Sequence, residues 1–245
     1  MPNRFRFMIN LTISFFFLAF VMLPVSAKAA DQEEPTAEKV AAELANPLAP
    51  VTTLNANFRA EFNNGPDDDT NYQVRLQPSF FKPFTDKSAL LVRTIIPFRS
   101  TNWPTNDTGL GDITIAPYYV PDITKAVFFG LGGALIMPTA TEDALGTKKW
   151  STGPAMIFAK TGQPVTWGAL AQHIWSFAGD SERGNVSVST LQPFCTYLLG
   201  GGWSSTLTSE TNYNWKADSD EWTVPVLLSL AKVVKLGEKY VNIGV

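Results

Sequence analysis

One cysteine and one histidine are all that the 245 residues hold of the two side chains that most often bind transition metals. Cys195 alone forms no internal disulfide and no thiolate cluster for zinc. His173 alone rules out a two-histidine metal site or an imidazole relay, so neither a metal nor a cofactor is expected. Charge is sparse as well: 17% of residues are charged and the formal net charge is −3. With no basic stripe to neutralise phosphates, no nucleic-acid partner is expected. A long apolar run occurs near the start and is not repeated, so any later crossing of a bilayer must be made by strands.

What is present begins with Arg4 and Arg6, then an apolar run from Phe7 to Val25 and the small-x-small sequence Ala27-Lys28-Ala29. That order reads as an export signal over 1–29, cleaved after Ala29. The rival reading, an uncleaved membrane helix, suits the length of the run but is diluted by Asn10, Thr12 and Ser14. Residues 30–50 are acidic and Ala-rich, and Ala37, Val40, Ala41 and Leu44 recur at helical spacing until Pro47 and Pro50. A short periplasmic helix and a disordered leader both fit this segment.

From residue 51 to 245 the period is two. Leu54, Ala56, Phe58, Ala60 and Phe62 alternate with Asn55, Asn57, Arg59, Glu61 and Asn63, and the stretch from Asn71 to Phe80 repeats the pattern. Further strands are predicted at 88–98, 110–120, 126–137, 150–160, 165–177, 186–199, 203–215, 222–233 and 239–245. Brief connections at 121–125, 161–164, 199–202 and 234–239, with 81–87 slightly longer, alternate with polar and mostly longer ones at 64–70, 99–109, 138–149, 178–185 and 216–221. Short periplasmic turns alternating with longer outer loops characterise outer-membrane barrels, and this order leaves the amino terminus periplasmic. Trp103, Trp150, Trp175 and Trp222 lie by the long loops, and Phe80, Phe81, Phe84 and Trp203 by the short turns, as two aromatic girdles would.

The expected fold is therefore all-β: an antiparallel transmembrane β-barrel in the outer membrane. Even strand numbers are the rule, so about twelve strands are expected in the full protein and about eleven here. Tyr240 to Val245 reads as a strand stopped midway, a barrel incomplete at its carboxyl end. Outer-membrane lipid and the barrel-assembly machinery are the partners such a wall implies, with a small-molecule solute as a third.

Several segments carry a resemblance: Gly109-Leu110-Gly111-Asp112-Ile113, Leu135 to Thr141, Trp150 to Ala155, His173-Ile174-Trp175-Ser176-Phe177-Ala178-Gly179-Asp180, Leu191 to Phe194 and Trp222 to Pro225. Across nearly all of the mature chain, the sequence resembles a family of bacterial outer-membrane barrel proteins. That family is related to the barrels of MetA-type phenol-degradation pathways, and its members often carry the labels "neuromedin U" or "transporter". The resemblance implies a membrane barrel and transport, of hydrophobic or aromatic solutes by analogy. It also implies one more strand, ending near an aromatic residue and a proline.

Alternation places Arg59, Glu61, Arg75, Arg93, Asp112 and Glu210 on the polar, inward face. If each hairpin pairs about the centre of its connection, Arg59, Arg75 and Arg93 lie side by side, Asp112 opposes or flanks Arg93, and Glu61 lies near Arg75. This ladder either narrows a pore and selects anionic or polar solutes, or forms mutually satisfied ion pairs that plug a narrow lumen.

No enzymatic activity is expected. A membrane-embedded hydrolase needs a nucleophile beside its base, and the residues two away from His173 are Ala171 and Trp175. His173 reads instead as a hydrogen-bonded interface residue. The glycines at 130, 132–133 and 200–202 read as bends and turns, since no helix follows them to bind an anion. Asp67-Asp68-Asp69 reads as a solvated turn. The expected function is a channel or facilitator for small solutes; the alternative is a structural or surface-interaction barrel with a plugged lumen.

Overall fold

The computed structural model describes residues 12–22, 36–45, 52–64, 67–102, 105–219, 221–237 and 239–245. The cleavage site, the ends of the 30–50 segment and Trp103 lie outside them.

The chain is almost entirely strand. In order come β1 (Thr12–Met22), α1 (Ala37–Leu44), β2 (Thr52–Asn64), β3 (Asp69–Pro83), β4 (Ala89–Thr101), β5 (Asp107–Leu110), β6 (Ile113–Val120), β7 (Val127–Met137) and β8 (Lys149–Lys160). There follow β9 (Val165–Gly179), β10 (Ser187–Gly200), β11 (Trp203–Ser209), β12 (Thr211–Asn214), β13 (Trp222–Thr223), β14 (Val226–Leu236) and β15 (Lys239–Gly244). All belong to one sheet. Its antiparallel pairings run from β1 through β2, β3, β4, β6, β7, β8, β9, β10, β11, β14 and β15, which pairs with β1 again. The remaining three pieces are extensions: β5 lies along the end of β4, β12 continues β11 beside β10, and β13 pairs with β12.

Eleven of the strands round this circuit fall in residues 51–245, as the period of two predicts. The twelfth place, between β2 and β15, is taken by Thr12–Met22, from within the segment read as an export signal.

Burial separates the two faces. Along β8, the buried Lys149, Ser151, Gly153, Ala155, Ile157 and Ala159 alternate with the exposed Trp150, Pro154, Met156 and Lys160. The inward residues of β4 and β6 to β9 pack into an apolar cluster of Leu91, Tyr118, Val120, Phe128, Ile157 and Ile174, joined by Ile123 from the short turn after β6. Outward positions hold large apolar side chains with nothing over them; Val226 is 70% exposed and Leu228 73%. An ordinary soluble sheet packs such a face against a second layer. Here the apolar face is outermost.

Aromatic rings mark both rims. Near the long loops, Trp150, Trp175, Trp215 and Trp222 are exposed; near the short turns, Phe80, Phe84, Trp167 and Trp203 are. Phe84 meets Tyr119 at 6.4 Å and Phe158 meets Trp167 at 5.6 Å between ring centroids.

The 37–44 segment is a helix, not a disordered leader. Thr36 caps it by accepting a hydrogen bond from the Lys39 amide at 3.2 Å. Val40 and Ala41 are buried, and with Ala37 and Leu44 they pack on the inward residues Leu198, Val233 and Tyr240. The neighbouring turn is Gly200-Gly201-Gly202, each with φ between +58° and +87°. A side chain at Gly202 would meet Ala37 at 3.2 Å, so glycine serves both the left-handed backbone and the close approach of α1.

A charged belt across the barrel interior

The centre of the site is Glu210, at the break between β11 and β12. Its backbone carbonyl accepts from the Asn212 side-chain Nδ2 at 2.9 Å, and the Ser209 and Thr211 hydroxyls on either side of it lie 2.9 Å apart. Its carboxylate reaches strands far away in sequence. Arg75 donates from one terminal nitrogen to both oxygens, at 2.9 and 3.1 Å. Arg59 donates to one oxygen at 3.3 and 3.4 Å. Arg75 is itself oriented by Nε, which donates to the Gln73 side chain at 2.7 Å. The carboxylate thus ties β2 and β3 to the β11–β12 strand.

Arg99 joins this belt. On β4 it pairs with Gln73, and it lies within electrostatic range of Arg75, Arg59, Glu61 and Asp112. The strand predicted at 88–98 stops one residue short of Arg99, whose odd number puts it on the same face as Arg93. Three guanidinium groups (Arg59, Arg75 and Arg99) face the carboxylates of Glu61 and Glu210, and Asp112 also lies within range of Arg99.

The ladder is not built as the simple hairpin register predicts. Arg59 pairs with Gln73, and Arg75 with Asn57 on one side and Pro97 on the other. Arg93 lies opposite Ser79 and Ala116, away from Arg59 and Arg75 and next to the apolar cluster, where it meets the Tyr118 phenol. Glu61 pairs with Asn71 instead of approaching Arg75 as a cross-strand neighbour. For Arg93 the reason is the turn between β3 and β4. The Thr85 hydroxyl accepts from the Lys87 and Ser88 amides at 3.2 and 3.0 Å, and the Phe84 amide donates to the Ser88 carbonyl. That tight turn sits later than the centre of 81–87 and slides the pairing along.

Asp112 does not belong to the ladder. It lies between β5 and β6, where Oδ2 accepts from the Thr147 amide at 2.7 Å and its hydroxyl at 2.8 Å, while Oδ1 accepts from the Ala140 amide at 3.3 Å. Thr139 and Thr141 add bonds to the backbone of residues 110–113. Arg183 donates to the carbonyls of Asp143 and Gly146 at 2.9 and 2.8 Å. The long connection after β7 is therefore latched to its neighbours on both sides. Lys148, 2.6 Å from Asp143, holds that carboxyl below the usual carboxylate range.

His173 faces outward, on the same side of β9 as the exposed Trp167 and Trp175. Its Nδ1 is 2.8 Å from the Ser189 hydroxyl across the β9–β10 pair, and the Trp215 indole donates to the same oxygen at 2.9 Å. The rings of Trp175 and Trp215 flank the imidazole at 5.6 and 6.3 Å. Same-strand spacing alone misses Ser189, because its approach to His173 is cross-strand. Among the described residues no acidic or amide side chain hydrogen-bonds His173.

Among the described residues no group of three or more His, Cys, Asp or Glu side chains is placed to hold a metal ion. No family model, curated protein or solved structure matches the chain.

Proposed function

We propose that this chain is an exported outer-membrane barrel whose interior admits small solutes from the long-loop side, with the amino terminus periplasmic. The observation that carries the reading is the polarity of the sheet: apolar side chains as large as Leu228 stand outermost, while Arg59, Arg75 and Glu210 meet inside. In water this arrangement exposes apolar surface and sequesters charge. In a bilayer both faces find their proper solvent. The aromatic rims and the export pattern of residues 1–29 fit the same orientation, as does the resemblance to barrels of phenol-degradation pathways. The inward guanidinium groups of Arg59, Arg75 and Arg99 favour anionic or polar solutes over cations.

Swelling of proteoliposomes tests this directly. The reading expects arabinose to enter vesicles containing the protein, and gluconate to enter faster than a lysine-sized cation. No swelling from a protein that has assembled in the bilayer would overturn the channel.

A second reading, a structural or surface-interaction barrel with a closed interior, is favoured by a specific observation. The cluster around Leu91, Tyr118 and Ile157 and the seat of α1 on Leu198, Val233 and Tyr240 both occupy the inward face toward the short turns. Swelling decides between the two.

A further inference from the structure

The inward face at the long-loop end of β8 holds a cation that the belt does not use. Lys149 and Ser151 stand on either side of the outward Trp150 and are 6% and 1% exposed. Among the described residues the Lys149 ammonium has no hydrogen-bond or ion-pair partner, and neither has the buried Ser151 hydroxyl. Burying an ammonium without a counter-charge is costly, and buried hydroxyls are almost always paired. Two such groups at successive inward positions of one strand mark a place that something else completes.

They border a cleft. Lys149, Ser176, Gly179, Ser181 and Asn185 line a cavity of about 370 Å³. Ser151 pairs with Ser176 beside it, and the register shifts between Trp150 and Ser151, leaving Phe177 unpaired against β8. Bulges of this kind end a ladder next to a site. Gly179 has φ +122°, and a Cβ there would come within 2.8 Å of the Lys149 Cα, so glycine lets the end of β9 lie this close. The walls are held from both sides. The Thr147 hydroxyl accepts from the Lys149 amide at 3.3 Å, the Asp180 amide donates to the Lys148 carbonyl at 3.1 Å, and Arg183 spends its guanidinium on the Asp143 and Gly146 carbonyls. The carboxylates of these connections are engaged elsewhere: Asp112 by Thr147, Asp143 by Lys148 and Asp180 by the Glu182 amide. Glu142 and Glu182 are exposed.

We propose that this cleft binds a small monocarboxylate, whose carboxylate supplies the counter-charge to Lys149. The Ser176 hydroxyl accepts from the Val186 amide at 3.0 Å and so keeps its own proton to donate, with Ser181 and Asn185 as further donors. One ammonium balances one negative charge, and no second cation lines the cleft, so a carboxylate fits where a phosphate dianion would stay half-neutralised. The volume lies near the lower end of small-molecule sites. This names a solute class for the channel and rests on that reading, although binding itself needs only the folded barrel.

The test is calorimetric titration of the folded full chain in detergent micelles with sodium gluconate, against sorbitol as an uncharged analogue and inorganic phosphate. Gluconate is expected to bind saturably, phosphate more weakly and sorbitol not at all. Lys149→Met and Lys149→Gln, checked for folding by heat-modified gel mobility, should each bind gluconate about tenfold more weakly or worse. Lys160→Met, at the far end of β8, should bind as the parent does. The parent decides even without a folded variant: no saturable gluconate binding, or sorbitol or phosphate bound as tightly, overturns the site. Unchanged affinity in a folded Lys149 variant overturns it as well. Gluconate binding without vesicle swelling keeps the site and removes the channel, whereas swelling in gluconate without binding does the reverse.

Discussion

Removing the Glu210 carboxylate should cost more than any other single change in the belt. Glu210, Arg59 and Arg75 side chains are 23%, 16% and 20% exposed, so all three are largely withdrawn from water. Glu210→Ala leaves two guanidinium groups without their shared partner. Breaking a buried pair costs about 3–5 kcal/mol, and the residual exposure here puts the expected loss near the bottom of that range, about 3 kcal/mol. The two arms are unequal. Arg75 reaches both oxygens, with a closest approach of 2.9 Å, whereas Arg59 reaches one at 3.3 Å. Double-mutant cycles should therefore give a larger coupling for Arg75–Glu210, about 2 kcal/mol, than for Arg59–Glu210, about 1 kcal/mol or less. Urea unfolding in lipid vesicles, followed by tryptophan fluorescence and by heat-modified mobility on gels, measures both. A Glu210→Ala protein as stable as the parent, or a larger coupling on the Arg59 arm, would refute this account of the belt.

Two further outcomes follow from named contacts. Asp112→Ala removes the acceptor for the Thr147 amide and hydroxyl and the Ala140 amide, so the connection after β7 should become cleavable by trypsin at Lys148 while the barrel stays folded; the loss of local stability is about 1–3 kcal/mol. Val40→Asp places a carboxylate at a position that is 1% exposed, so α1 should leave its seat on Val233 and Tyr240, exposing Lys39 to protease. If solute leaves through the short-turn end, the same variant should swell faster than the parent, and an unchanged rate means that α1 does not restrict the path.

Strand positions and faces are legible in the sequence wherever polar and apolar residues alternate. The inward setting of Arg59, Arg75, Arg93 and Glu210 follows from parity alone, and so does that of Arg99 once β4 is carried past residue 98. Register is not legible in the same way. It depends on where the chain reverses, and the Thr85–Ser88 turn moved Arg93 out of line with Arg75 through hydrogen bonds that spacing does not reveal. Nor does parity say which inward residues meet across the interior. Glu210 joins Arg59 and Arg75 because the sheet curves round to bring β11–β12 before β2 and β3, a distance set by the whole fold. Asp112 escapes parity for a third reason: between β5 and β6 the alternation lapses, and Thr147 claims its carboxylate. The Ser189 hydroxyl beside His173 is a cross-strand neighbour and needed the β9–β10 register to be seen.

The claim on which the rest depends is that the outward face meets lipid, and the lone cysteine offers the most direct measurement. Cys195 is exposed and pairs with the outward Trp167 and Leu207, whereas the next residue, Thr196, is buried and bonded to Thr206 at 2.9 Å. A polarity-sensitive fluorophore on Cys195 in liposomes should emit as in hydrocarbon and be quenched by brominated lipid, while the same label in Cys195→Ser/Thr196→Cys should escape that quenching. Water-like emission from Cys195, with no lipid quenching at either position, would contradict the membrane wall.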